Sequence, residues 1–184
     1  MLAIASSHAT YARLADPLDE EPLMDMLRTL HGENALRSGA DEPLKICEEK
    51  VRSTLQNAII PDRTYSTSEP CWIVVIDNID SPGRLEGSVC LSIMEPWYSR
   101  ETFLAETWNF VLPQYRKSNN AKVLIGFSKT LAGELKLPLV MGIMSTDREP
   151  AKMRLYEKSL GCKPYGGYFL FNYDQGETDS RAGA

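Results

Sequence analysis

The run from Thr107 to Leu135 constrains this chain most. Thr107-Trp-Asn-Phe-Val-Leu112 has the apolar density of a strand, Pro113 closes it, and Arg116-Lys-Ser-Asn-Asn-Ala-Lys122 follows as a short polar loop. From Leu124 to Leu135 the pattern is that of a helix. A strand, a loop of small side chains and a helix N-terminus in that order make an anion cradle. Successive backbone N–H groups face outward there, and the helix dipole adds roughly half a positive charge. The competing reading is a plain strand–loop–helix connection whose polar residues cap the helix.

The remaining elements place this unit in a larger order. Tyr11-Ala-Arg-Leu14 reads as a first strand, and Asp16-Pro17 opens a helix that His31-Gly32 is expected to stop. A second helix is expected from Glu42-Pro43 to about Ala58, with Pro61 as its breaker. Cys71–Ile76 and Leu85–Ile93 read as strands joined by the turn Asp80-Ser-Pro-Gly83, and Phe103–Leu112 as the next strand. Pro138–Ser145 suits a strand buried on both faces. A helix capped by Thr146 or Asp147 then ends at Gly161, and Tyr168–Phe171 closes the order. The pattern β-α-α-β-β-β-α-β-α-β is that of one mixed domain over 1–184, ordered from about 10 to 173, with a loose N-terminus and a loose tail from Asp174.

Composition narrows the chemistry. The net charge of −5 comes with Lys and Arg that are not gathered into one block, which argues against a nucleic-acid binder and slightly favours a cationic acceptor. Cys47, Cys71, Cys90 and Cys162 are irregularly spaced, and His8 and His31 are the only histidines, so no metal site is expected. Cys47, Cys71 and Cys90 read as buried free thiols. No apolar run reaches membrane-spanning length, and the expectation is a cytoplasmic protein without membrane contact.

The order Val111-x-Pro113-x-x-Arg116-x-x-Asn119-x-Ala121 resembles the acyl-CoA pyrophosphate loop of the GNAT superfamily of N-acyltransferases, which reads Gln/Arg-x-x-Gly-x-Gly/Ala. Asn119 stands where the first glycine is usual, and asparagine is the next best residue for a left-handed backbone. Ala151-x-x-x-Leu155-Tyr156-Glu157-Lys158-x-x-Gly161 resembles the family's closing helix, with Glu149 where an asparagine is frequent. The resemblance covers about residues 10–173. It implies an α+β fold in three layers (α/β/α), with a mixed, mostly antiparallel sheet of 6–7 strands, about four flanking helices, and a splay between strands 4 and 5.

The resemblance also implies roles. Acetyl-CoA is the implied acyl donor, its phosphates on the amides of Lys117, Ser118, Asn119, Asn120, Ala121 and Lys122, with Arg116 and Lys122 adding charge and Arg116 fixing the loop's shape. Its pantetheine arm would run along strand four at Phe110 and Val111 and past Gly142 to Ser145. Tyr156 is the implied general acid at the thioester sulfur; alternatively Met153, Tyr156 and Leu160 are one packing face. Glu106 fits the spacing of a general base on strand four, against a solvent-facing glutamate, with Glu95 and Glu101 as other candidates.

Asn34–Asp41 and Glu95–Arg100 would border the acceptor. Trp97 and Tyr98 would form an aromatic wall, edge packing or a dimer contact. His31 reads as a cap or polar core residue rather than a catalyst. The activity implied is transfer of an acetyl group to a small-molecule or peptide primary amine by direct attack. The alternative is a GNAT-shaped protein that binds CoA, or a partner, without transfer. A homodimer is compatible with either.

Overall fold

A computed structural model describes residues 12–38, 45–59, 70–143 and 148–166. Among them a single sheet runs in the order β1 (Ala12–Leu14), β2 (Cys71–Asp77), β3 (Leu85–Met94), β4 (Phe103–Val111) and β5 (Leu139–Val140). The first four strands pair antiparallel, and β5 lies parallel to β4. The helices are α1 (Glu20–Ser38), α2 (Glu48–Ile59), α3 (Asn120–Leu135) and α4 (Glu149–Leu160).

The sheet divides two apolar clusters because strand side chains alternate between faces. On one side Ile73, Val75, Cys90 and Phe110 meet Leu23, Met24, Met26, Leu27 of α1 and Leu55, Ile59 of α2. On the other, Val74, Ile76, Val89, Leu91, Leu104 and Val111 meet Leu124, Phe127 and Ala132 of α3. This is the expected mixed α+β layering, with five strands in the described residues rather than 6–7; the expected closing strand Tyr168–Phe171 lies outside them.

Two bulges break the alternation. Ile76 pairs with Gly87 and Asp77 with Leu85, so Glu86 is an extra residue in β3. Cys90 pairs with Trp108 and Leu91 with Glu106, so Thr107 is an extra residue in β4. A bulge re-aims the side chains on either side of it. Because Thr107 is skipped, Glu106 and Asn109 lie on the same face as Leu104 and Val111, whereas Trp108 and Phe110 face α1 and α2.

Several boundaries differ from expectation. Gly32 does not end α1, which runs on to Ser38, so His31 lies inside the helix rather than at its end. One glycine costs a helix only about 1 kcal/mol, less than the burial of this helix's apolar face supplies. A 3-10 turn, Pro17–Asp19, precedes it, with Asp16 as a capping-box residue. α2 starts only at Glu48, which leaves Cys47 exposed instead of buried in a helix. Cys71 and Cys90 do sit in strands, with their sulfurs 3.5 Å apart.

β5 is the largest correction. It spans only Leu139–Val140, and Val140 is 49% exposed, so the strand is not buried on both faces. It pairs with β4 at Leu104 and Ala105, supported by the Leu104 amide donating to the Pro138 carbonyl at 2.8 Å, and stops there. From Glu106 to Val111 the far edge of β4 has no strand partner among the described residues. The splay between strands 4 and 5 is therefore present. No helix of the described residues is long and apolar enough to cross a membrane.

Gly87 lets β3 approach the end of β4: a Cβ there would stand 3.0 Å from the Phe110 carbonyl oxygen and 3.1 Å from Val111 Cγ2. Backbone cannot yield as a flexible side chain does. Gly87→Val is expected to lower stability by about 1–3 kcal/mol, read as a lower urea midpoint at unchanged slope.

Candidate active site

The loop that follows β4 is a compact turn. Pro113–Tyr115 forms a 3-10 turn, and the Arg116 and Ser118 amides donate to the Pro113 and Tyr115 carbonyls. The Ser118 hydroxyl donates to the Tyr115 carbonyl at 2.6 Å and accepts from the Asn120 amide at 3.1 Å. α3 then begins, and Val123 closes its first turn on the Asn119 carbonyl. The amides of Lys117, Asn119, Ala121 and Lys122 have no partner among the described residues. They are the open donors of the nest at the helix start.

The expected binding loop is thus altered in detail. The Ser118 and Asn120 amides are already satisfied within the loop, which leaves four amides open rather than the whole run of 117 to 122. Asn119 is not left-handed: its φ of −86° and ψ of 4° lie in the bridge region. Lys136 and Arg148 are the non-glycine residues at positive φ among the described residues. No residue from Pro113 to Asn119 is at positive φ, so the path from the 3-10 turn into α3 needs no left-handed residue and the loop dispenses with the usual glycine.

Arg116 and Asn120 have structural rather than ligand-facing side chains. The Arg116 guanidinium donates through Nε to the Val111 carbonyl at 3.1 Å and through Nη2 to both Glu33 carboxylate oxygens at 2.8 and 2.6 Å. It also lies over the Phe110 ring, 5.3 Å from its centroid. Its charge is paired with α1, so it fixes the loop's shape and adds little free positive charge. Asn120 is 1% exposed and donates inward to Glu86 at 2.6 Å. Lys117 and Lys122 are exposed and remain available to an anion.

The second half of the site lies on the α3 face of β4. The Tyr156 hydroxyl donates to Glu106 Oε2 at 3.2 Å and accepts from Asn109 Nδ2 at 3.2 Å. Glu106 and Tyr156 are fifty residues apart in sequence and meet through α4, which Gly161 terminates at φ 76° and Lys129 of α3 ties down by donating to the Leu160 carbonyl. Glu106 is thus held by a partner and is not a solvent-facing strand residue. Glu95 and Glu101, in contrast, are exposed on the β3–β4 connection, where a shallow depression of about 560 Å³ is lined by Glu95–Arg100. Trp97 and Tyr98 contact each other edge to face at 5.5 Å but are 96% and 75% exposed, so they are not edge packing.

Electrostatics single out the same cluster. Burial pushes the Glu106 carboxyl up to about 8, against a smaller lowering by the Tyr156 hydrogen bond. Burial, then the Glu106 charge and hydrogen bond, push the Tyr156 phenol well above its ordinary range. A carboxylate tuned close to neutral pH and bonded to a phenol is an arrangement suited to moving a proton. Asn109 is the member that sequence reading missed. Plain alternation sets it with Thr107 and opposite to Glu106, and only the bulge reverses that. Glu33, Asn78 and Glu86 carried no local signal either, because each acts on a loop remote in sequence.

No protein-family model matches the sequence, and no curated protein matches it. Solved structures do. The chain is similar to a Trypanosoma brucei acetyltransferase at 17% identity and a TM-score of 0.58, covering 88% of this chain and 98% of that one. It is similar to a ribosomal-protein-alanine N-acetyltransferase of Brucella melitensis at 17% identity and a TM-score of 0.56, covering 90% and 100%. A glucosamine-6-phosphate N-acetyltransferase of Arabidopsis thaliana gives 12% identity and a TM-score of 0.59, covering 89% and 99%. Likeness at this level shows the fold alone, a GNAT-like mixed α+β fold shared with these acetyltransferases.

Glu106 also links pH to stability. Its folded value of about 8 is above the ordinary 4.5, so between these limits the folded state holds a proton that the unfolded state has released. Stability is accordingly expected to fall as pH rises through that window. Glu106→Gln, which stays neutral, should be more stable than the parent by roughly 4 kcal/mol near pH 8, with the gap closing toward pH 4.5. Thermal unfolding of both proteins across this range measures it.

Proposed function

We propose that this protein is an N-acyltransferase that moves an acetyl group from acetyl-CoA to a primary amine by direct attack in a ternary complex. The observation that carries the reading is the Glu106–Tyr156–Asn109 cluster, set on β4 at the point where β5 leaves it. The nest of open amides stands at the other end of the same strand. The donor supplies an activated acyl group and a thiolate leaving group.

The chain's own residues divide the work. Open amides of Lys117, Asn119, Ala121 and Lys122, with the nearby lysines, suit the diphosphate. The unpaired edge of β4 suits an extended arm that adds to the sheet as a further strand would; Phe110 and Val111 border it, although the Val111 carbonyl is already taken by Arg116. Glu106, ionised above about pH 8, accepts a proton from the acceptor ammonium, directly or through water. The amine lone pair then attacks the acyl carbon, the new C–N bond forms, the C–S bond breaks, and the second proton leaves the nitrogen to water as the neutral amide forms.

Tyr156 cannot give its only hydroxyl proton to sulfur while that proton is bonded to Glu106. Once Glu106 is protonated the direction reverses. The carboxylic acid donates to the phenol oxygen, and the phenol hydrogen turns to the departing thiolate. Base and acid are then one relay, with Asn109 holding the phenol oxygen in place. The acceptor is a primary amine of either small-molecule or peptide origin.

Calorimetry with acetyl-CoA and mass spectrometry of products over a panel of primary amines test the proposal. Binding and an acetylated product are expected; absence of acetyl-CoA binding overturns it, and binding without any product leaves only a CoA binder. Glu106→Gln should lower kcat/KM by roughly 10²–10⁴-fold, and Tyr156→Phe by about tenfold or more, with donor affinity unchanged.

A further inference from the structure

We infer that Glu86 is the positioning residue of the phosphate nest, holding the loop between β4 and α3 in its binding shape; this rests on the function proposed above. Glu86 is the extra residue of the β3 bulge, and from that position it reaches the loop at its beginning, middle and end. Its carbonyl accepts from the Leu112 amide at 2.9 Å, just before the 3-10 turn. Its Oε2 accepts from Asn120 Nδ2 at 2.6 Å, at the first residue of α3. Its Oε1 accepts from Asn78 Nδ2 at 3.1 Å, and the same amide donates to the Tyr115 hydroxyl at 2.8 Å inside the turn. Asn78 itself is anchored in the hairpin through its amide, which donates to the Arg84 carbonyl.

The cost of this arrangement points to a geometric purpose. Both Asn78 and Asn120 are buried, and each leaves its Oδ1 without a partner among the described residues. Orphaned buried acceptors are destabilising, and apolar residues of similar shape would avoid them. In addition, Glu86 places a carboxylate beside a helix start that must receive an anion, which is unfavourable for phosphate on charge alone. What the network supplies is fixed spacing: with Leu112, Tyr115 and Asn120 tied to one rigid bulge, the amides of Lys117, Asn119, Ala121 and Lys122 are held in place before a ligand arrives.

The opposition between charge and geometry makes the test decisive. Glu86→Ala removes both, whereas Glu86→Gln removes only the charge. The glutamine oxygen still accepts from one asparagine, and its amide meets the vacant Asn120 Oδ1 once that side chain turns over. We expect Glu86→Ala to raise the KM and calorimetric Kd for acetyl-CoA at least tenfold, with kcat at saturating donor within twofold and acceptor KM unchanged. Glu86→Gln should restore donor affinity to within about threefold of the parent. Amide hydrogen exchange across residues 117–122 should accelerate in Glu86→Ala and not in Glu86→Gln.

A folded Glu86→Ala that binds acetyl-CoA as well as the parent, or better, overturns the inference, as does a loss confined to kcat. If Glu86→Ala does not fold, Asn120→Ala cuts the helix-side arm alone and carries the same expectation for donor KM, with unchanged affinity overturning it. Failure of the parent protein to bind acetyl-CoA would instead defeat the underlying functional reading, and is distinguishable because no variant is involved.

Discussion

The structure turns on one extra residue in β4. Thr107 has no partner across the ladder, and its insertion brings Glu106 and Asn109 to a common face of the sheet. Without it, Asn109 would face away from Glu106 and no second group would hold the Tyr156 phenol. β5 parts from β4 just before this point, so the bulge and the splay coincide. A strand that is both bent and unpaired on one edge exposes backbone and aims polar side chains at the same place. Those are two separate requirements of the proposed acyl transfer, met by one local irregularity.

The helices serve that strand. α1 and α2 fill one face with aliphatic side chains, and α1 also sends Glu33 to bind Arg116 at the mouth of the loop. α3 fills the other face and presents its N-terminus beyond the end of β4. α4 has no fully buried residue and contributes chiefly Tyr156. An element with so little core of its own is positioned by neighbours, through Lys129 and the left-handed glycine that ends it. The second bulge, at Glu86, does for the loop what the first does for the face that carries Glu106 and Asn109. In both, a residue skipped by the ladder re-aims side chains: onto one face of the sheet at Thr107, and toward the loop at Glu86.

Much of the architecture was legible in the residues. The hairpin between β2 and β3, the strand at 103, the helix after residue 120 and the stop at Gly161 follow from apolar spacing and from turn chemistry. Misreadings have particular causes. Gly32 has the look of a helix stop, although a glycine can sit inside a helix whose other face is buried. Asn119 was expected to replace a glycine by adopting its conformation, whereas the 3-10 turn removed the need for that conformation. Pro138–Ser145 looked like an interior strand because apolar composition does not record whether a neighbour is present. Arg116 looked like an anion ligand because its partner, Glu33, is distant in sequence.

What the sequence determined on its own was the inventory and the order: which segments are strands and helices, which two form a hairpin, and where a polar loop meets a helix; the roles of Glu106 and Tyr156 came only from the family resemblance. Local preferences suffice for that inventory, because backbone propensity and apolar periodicity act over a few residues. Tertiary structure alone decided register. Whether Glu106 faces α1 or α4, whether Asn120 points at solvent or at Glu86, and whether β5 continues beside β4 depend on ladder pairing across the whole sheet. A one-residue slip in that pairing inverts every side chain beyond it, and no window of neighbouring residues contains that information.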